Sequence, residues 1–354
     1  MRLTTGLHGY VVLRFSGGLE IRLHNLICAV ILMMVAVVGG VALLTTGSTD
    51  STFSDLVGLF DGDAVSGDVA FAIADVRLPR ILMGFMAGWC VALTGAMLQS
   101  LAQNPLADPG LLGLSQGSLV VIMLVLVLFP GLPLIFTPLA GFAGGLAVAA
   151  LLMVLVGRHH SGGLGILLMG IAVETTLSSV TSILILYAPP EQSHAISSWL
   201  AGSLFHSDWS AVGSFAAWFV ISIPAILVIG RKLRSLDLGD HMALALGEAV
   251  HITKPAILIV AVLLTAAATA AVGPLVFLGV MAPHLACFIS PAKGRARLFL
   301  AAMTGGVLVV AADGLTRLGS DQVALPTGLA IMMIGAPIFI ISLRLRTISQ
   351  ARTG

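Results

Sequence analysis

The sequence predicts an all-α polytopic membrane protein of about ten transmembrane helices. Three observations carry that prediction. Charged residues are 9% of the 354, where a soluble domain carries about 25%. Hydrophobic residues are 58%, 40 glycines come on top, and mean hydropathy is +1.08. Apolar runs of about 20 residues, enough for a helix to cross ~30 Å of hydrocarbon, recur along the chain. No water-soluble fold has an interior large enough for this much apolar surface, which excludes a cytosolic enzyme and a nucleic-acid binder.

The spans fall at roughly 24–46, 80–102, 114–130, 134–156, 164–187, 212–230, 255–272, 274–290, 297–314 and 324–343. The polar segment 1–23 contains Glu20, and the run after it is longer than a signal-peptide core, so it reads as a retained first span. Only Gly273 and Pro274 separate the seventh and eighth spans. One unbroken helix there would be too long for any bilayer, so a tight turn is expected.

An even number of spans puts both termini on one side. Of the 17 basic residues, 14 fall on that side: Arg2, Arg14, Arg22, Arg158, Arg231, Lys232, Arg234, Lys254, Lys293, Arg295, Arg297, Arg344, Arg346 and Arg352. That side is the cytoplasm. The domain reading follows: a cytoplasmic segment 1–23, one transmembrane domain 24–345 with its largest inner loop at 231–254, and a cytoplasmic tail 346–354. Asp50, Asp55, Asp61, Asp63, Asp68 and Asp75 lie in the first outer loop, and the basic exceptions outside are Arg77, Arg80 and Arg317. No loop has room for a catalytic domain. No G-x-x-x-x-G-K-[ST] occurs, so any ATP is hydrolysed elsewhere.

Cys28, Cys90 and Cys287 all sit in apolar segments and read as small hydrophobes. His284 stands alone after Pro283, and His159 and His160 are adjacent in a short inner loop. Neither pattern supports a metal site, and no cofactor is expected. Glycines within spans (Gly141, Gly144, Gly145, Gly305, Gly306) read as close helix packing.

Five stretches stand out. Arg77-Leu78-Pro79-Arg80 leads into Gly84, Gly88, Gly95 and Gln99. Gln103-Asn104-Pro105-Leu106-Ala107-Asp108-Pro109 precedes Leu112-Gly113-Leu114-Ser115. Trp199-Leu200-Ala201-Gly202-Ser203 is the third. Gly273-Pro274-Leu275-Val276-Phe277-Leu278-Gly279 runs to Ala282-Pro283-His284. Asp313 and Arg317 precede Leu325-Pro326-Thr327-Gly328 and Gly335-Ala336-Pro337-Ile338-Phe339. In order, spacing and wording, residues 77–345 resemble the FecCD-type permeases, the membrane subunits of ABC importers for iron chelates, haem and cobalamin.

That resemblance implies a permease of the bacterial inner membrane that pairs with an identical or homologous subunit around a central pathway. It implies two cytoplasmic ATPase subunits and a periplasmic or lipoprotein substrate-binding protein. By family frequency the cargo is a ferric siderophore, with haem or cobalamin as alternatives. The binding protein would dock on Arg77, Arg80 and Arg317, for which interfacial snorkelling is the plainer reading. Asp313, four residues before Arg317, is placed to orient it.

Asn104 and Leu106 would face the cytoplasmic gate, opposite Gly162 and Gly163, where relatives often carry hydroxyl-bearing residues. The loop 231–254 would hold the helix that seats in the ATPase, with Asp240, Met242, Leu244, Leu246 and Gly247 at the contact; a short helix lying on membrane lipid is the plainer alternative. Glu174 is the one carboxylate well inside a span, which marks it for pathway lining or for hydrogen bonding to a neighbouring helix through Thr175, Thr176, Ser178 or Ser179. The rival class is an ion-gradient-driven secondary transporter using Glu174; a third is a membrane scaffold with no flux of its own.

Overall fold

The computed structural model describes residues 2–5, 11–14, 20–47, 51–61, 66–129, 132, 136–156, 163–187, 199–317 and 325–351. Among these, a helix stands at each of the ten expected spans. They are α1 (Leu23–Leu44), α3 (Gly67–Leu101), α4 (Leu114–Leu128), α5 (Thr137–Val156), α6 (Gly163–Leu186), α7 (Trp209–Leu236), α9 (Val250–Val272), α10 (Leu278–Ile289), α11 (Arg295–Arg317) and α12 (Thr327–Ala351). Two shorter helices lie outside the spans: α2 (Phe53–Asp61) between α1 and α3, and α8 (Asp240–Ala245) between α7 and α9.

Three features depart from the sequence reading. The second span begins well before residue 80, because the helix already starts at Gly67 and passes through a π turn at Ala72–Arg77. Pro79 has no N–H to give the carbonyl four residues back, and a widened turn absorbs that lost bond. The loop between α3 and α4 folds back into the protein rather than lying on its surface: Ala107, Asp108 and Leu112 are buried. The N-terminal segment is not featureless. Short strands β1 (Arg2–Thr5), β2 (Val11–Arg14) and β3 (Glu20–Arg22) pair antiparallel in sequence order, and β3 runs directly into α1. The β-branched pair Val11-Val12 and Ile21 suit strands, but runs of three or four residues give no periodicity to read.

Helix α3 is the axis of the bundle. Its apolar window is 83% buried, with α11, α9, α10 and α7 packed around it. Glycine makes the closest of these contacts possible. A Cβ on Gly88 would stand 2.5 Å from the Gly305 carbonyl oxygen, so α3 and α11 cross backbone to backbone. Gly117 and Gly144 do the same for α4 and α5. Without a hydrophobic driving force between helices in lipid, such close approach supplies the packing energy.

The expected turn after α9 is present. Gly273 ends the helix at φ +74°, and α10 starts at Leu278. Three of the recurring stretches meet here: the Ser203 N–H donates to Val272 O (2.9 Å), and the Gly328 N–H donates to Gly202 O (2.9 Å). A Cβ on Gly202 would stand 2.5 Å from Pro274 O.

Helices α1 and α6 lie at the periphery, each with only 17% of its apolar window buried. Helix α1 leans on α11, with Leu43 packed over Gly314. At its start, His24 Nε2 lies 3.3 Å from Ile289 O, and the Ser290 hydroxyl donates to Asn25 Oδ1 at 2.7 Å. At its end, Arg77 donates to Leu44 O (2.7 Å) and Arg317 to Leu43 O (3.3 Å).

Candidate functional site

Arg77, Arg80 and Arg317 are brought together, but each is already engaged. Asp313 is 1% exposed and lies between two guanidinium groups. Arg80 Nε and Nη2 donate to its Oδ1 at 2.9 and 2.6 Å, and Arg317 Nε and Nη2 donate to its Oδ2 at 2.9 and 2.6 Å. The four-residue Asp313–Arg317 pair expected from sequence is therefore present; the bond to Arg80, 233 residues away, had no sequence signal. Arg77 is 6% exposed and also meets the Ser51 hydroxyl. Arg77 and Arg317 bind adjacent carbonyls at the C-terminal end of α1, where the orphan carbonyls and the negative end of the helix dipole favour a cation. Of the two arginines on Asp313, Arg80 keeps more of its side chain exposed, 19% against 8%.

At the opposite end, the candidate gate loop is shaped by its own side chains. Asn104 Oδ1 accepts the Leu106 N–H at 2.9 Å, which turns the chain at Pro105 and leaves Leu106 exposed. Gln103 precedes it at φ +49°, a left-handed conformation that a non-glycine residue rarely holds. Asp108, which sequence reasoning passed over, anchors the far side of the loop. One of its oxygens takes the Gly110 N–H at 2.7 Å, and the other faces Gly279 at the start of α10. Gly163 opens α6; Gly162 lies outside the described residues, as do Ser161, His159 and His160.

Helix α6 carries the intramembrane acid. Glu174 is partly buried, and a Cβ on Gly113 would approach its backbone N at 3.1 Å. Thr175, Thr176, Ser179 and Ser182 are exposed on the chain, and each hydroxyl returns to the carbonyl four residues earlier at 2.8–2.9 Å. Thr181 reaches Gln116 on α4 at 3.4 Å. A span-length helix thus presents hydroxyls outward, satisfied by its own backbone.

The loop 231–254 is anchored by charge and tipped with apolar side chains. Lys254 Nζ meets Asp240 Oδ2 at 2.6 Å, and Lys232 Nζ meets Glu248 Oε1 at 3.1 Å. Hydrogen bonds from Thr253 and Lys232 hold the Glu248 carboxyl below its usual range. Within α8 only Ala243 is buried; Met242, Leu244 and the following Leu246 are 52%, 55% and 62% exposed. Gly247 ends the turn at φ +83°. Just upstream, Arg297 Nη1 donates to Asp237 Oδ1 (3.2 Å) and to the Ser100 hydroxyl (2.9 Å), and Ser100 donates to Asp237 (2.6 Å). None of these residues stood out in sequence, because the partners lie 60 to 197 positions apart.

His284 is buried, with its ring 4.9 Å from Phe339, in keeping with a structural role. Among the described residues, no three His, Cys, Asp or Glu side chains converge on a point that would hold a metal ion.

A profile of the FecCD transport family matches residues 27–345. The Fe(3+)-citrate import system permease protein YfmE of Bacillus subtilis is 32% identical over 92% of this chain and 96% of its own length. The Fe(3+) dicitrate transport system permease protein FecD of Escherichia coli is 36% identical over 76% of this chain and 84% of its own. Among solved structures, an inward-facing metal-chelate type ABC transporter superposes with TM-score 0.78 at 24% identity, covering 90% of this chain and 99% of that one.

Proposed function

The chain belongs to the FecCD transport family, and from that premise we propose that it is the membrane-spanning permease subunit of an ABC importer that carries a ferric siderophore across the bacterial inner membrane. Haem and cobalamin are the alternative cargoes. The observation that carries the reading is α8. Exposed apolar side chains grouped outside the membrane mark a protein contact. Helix α7, at 28 residues, is about 42 Å long against a hydrocarbon core of ~30 Å, which leaves length enough for α8 to stand clear of the bilayer and supports a protein contact over a helix lying on lipid. Met242, Leu244 and Leu246 would seat in a partner ATPase, with Asp240 and Gly247 shaping the two ends of the contact.

The remaining features take roles consistent with that reading. The hydroxyl face of α6 and Glu174 would line a pathway completed by a second, identical or homologous permease subunit. Water is tolerated at membrane depth where polar groups line a cavity. Asn104 and Leu106 would narrow its cytoplasmic mouth, with Gly162 and Gly163 opposite. Basic residues at the ends of α7, α9 and α11 meet on one side, while Arg77, Arg80 and Arg317 cluster on the other. This supports cytoplasmic termini, with Arg80, the most exposed of the three, as the arginine offered to a substrate-binding protein and Arg77 and Arg317 behind it. ATP binding by the ATPase pair would move α8, and inner and outer gates would exchange states.

Purification of the tagged chain from native membranes in mild detergent, with mass spectrometry of what co-elutes, tests the assignment. A stoichiometric P-loop ATPase is expected. A chain that elutes alone, transports alone and loses transport on Glu174→Gln would replace this reading with a gradient-driven transporter. No substrate-dependent flux in any preparation would leave a scaffold.

Docking is tested with neutral changes, since charge reversal at Arg80 or Arg317 would set a second carboxylate against Asp313. Arg80→Gln is expected to weaken binding-protein affinity at low salt and to flatten its salt dependence. Wild-type affinity and salt response would place docking elsewhere.

A further inference from the structure

The gate loop and the base of α8 are tied to each other by two sets of polar contacts, although they are more than 130 residues apart in sequence. The first tie is Gln103. Its side-chain amide donates to Leu236 O in the last turn of α7 (2.7 Å) and to Ser100 O (2.8 Å). These two bonds hold a non-glycine residue at φ +49°, and Asn104 follows directly. The second tie is Asp237, bonded to Ser100 and to Arg297, while Arg297 Nη2 also reaches Gln99 Oε1 at 3.2 Å. Asp237 stands three residues before α8, and Ser100 three before Gln103. Just before the loop, Gln99 Nε2 donates to Gly279 O at 3.4 Å, the same residue that Asp108 faces from the loop's far side.

We propose that Gln103, together with Asp237, Ser100 and Arg297, forms the joint through which displacement of α8 is passed to the gate loop 104–109. The proposal rests on the reading of α8 as the ATPase contact. Leu236 and Asp237 connect α7 to α8 and move with any tilt of α8. Gln103 and Ser100 are the residues that carry such a shift into the loop, because they bond to that connection directly. The left-handed backbone at Gln103 is held against its own preference, so the loop has a second, relaxed arrangement to adopt once Leu236 O withdraws. These are positioning residues; none is assigned a contact with cargo.

The test compares transport per ATP hydrolysed in proteoliposomes containing the whole complex. Gln103→Gly removes the side chain at an exposed site while suiting the backbone, so a purely structural role predicts unchanged or higher stability and normal coupling. The joint predicts an ATPase that stays bound and hydrolyses ATP, with transport per ATP reduced roughly tenfold. Gln103→Lys, which restores a donor toward both carbonyls, is expected to recover the ratio. Gln103→Glu, which sets an acceptor against them, is not.

A wild-type transport ratio in Gln103→Gly overturns the proposal. So does loss of the ATPase from that variant, since the contact would then shape α8 rather than relay its movement. The premise is read separately: Leu244→Asp with Leu246→Asp leaving the ATPase attached refutes the α8 contact, and the joint with it.

Discussion

Replacing Leu244 and Leu246 together with Asp is expected to detach the ATPase and abolish transport while the membrane domain stays folded. Both side chains are more than half exposed on the chain, so neither contributes to its core. What keeps α8 in place is elsewhere: Ala243 packed inward, Lys254 on Asp240 and the Gly247 turn. The substitution therefore acts on the contact with the partner and leaves the loop its anchors.

Burial of a leucine stabilises by about 1.5–3 kcal/mol, so losing two is worth about 3–6 kcal/mol. At 1.4 kcal/mol per decade, that weakens association by roughly two to four powers of ten, before the cost of burying two carboxylates. The measurement is ATPase stoichiometry after detergent purification, with thermal unfolding of the permease as the control. A complex that purifies and hydrolyses ATP as before would show that the ATPase contacts another part of the chain.

Asp313→Asn is expected to destabilise the protein by about 3 kcal/mol, although asparagine has nearly the same shape. The carboxylate is buried and compensates two guanidinium groups, with Arg77 close enough to add repulsion at Arg317. Removing one member of a buried ion pair costs about 3–5 kcal/mol, and the partial exposure of Arg80 argues for the lower end. Loss of yield and a lower unfolding temperature in detergent are the readouts. Adding Arg80→Gln to Asp313→Asn is expected to recover part of the loss, because it removes one uncompensated cation. Wild-type melting of Asp313→Asn would show that solvent, not Asp313, balances these arginines.

The architecture was legible in the sequence because lipid imposes one-dimensional rules. A length of about 20 apolar residues reads as a span wherever it occurs. Glycines such as Gly305 and Gly144 read as close packing, since a helix crossing in lipid needs small residues. The Gly273-Pro274 turn was equally local. What escaped notice was set by partners far along the chain. Arg80 was assigned outward by the charge rule, yet it closes on Asp313, 233 residues later. Arg297 was counted only as a cytoplasmic charge, and it joins Asp237, Ser100 and Gln99.

Asp108 was passed over because two neighbouring prolines already explained its loop, and nothing local announces that the loop turns inward to meet Gly279. In the candidate site, the apolar side chains of loop 231–254 and the hydroxyls beside Glu174 are visible in the sequence, although Thr175, Thr176 and Ser179 bond their own helix rather than a neighbouring one. Gln103, which ties the 104–109 loop to the last turn of α7, is an ordinary polar residue until its backbone angle is known.

The peripheral position of α1 has a consequence for how the protein is made. Its main helix neighbour is α11, with further ties to the Ile289–Ser290 segment and a lighter contact with α3, so α1 is made roughly 250 residues before the helix it chiefly packs on. It is suited to that delay. Its mean hydropathy of 2.9 is the highest among the six described helices that are long and apolar enough to cross a membrane, and a segment that apolar is stable in lipid without a partner. The Arg77 bond to Leu44 can form early, whereas the Arg317 bond to Leu43 closes only when α11 arrives, which makes it a seal on a completed bundle rather than a nucleus for it. Chains halted before α11 should therefore hold α1 inserted in lipid but without its main packing partner.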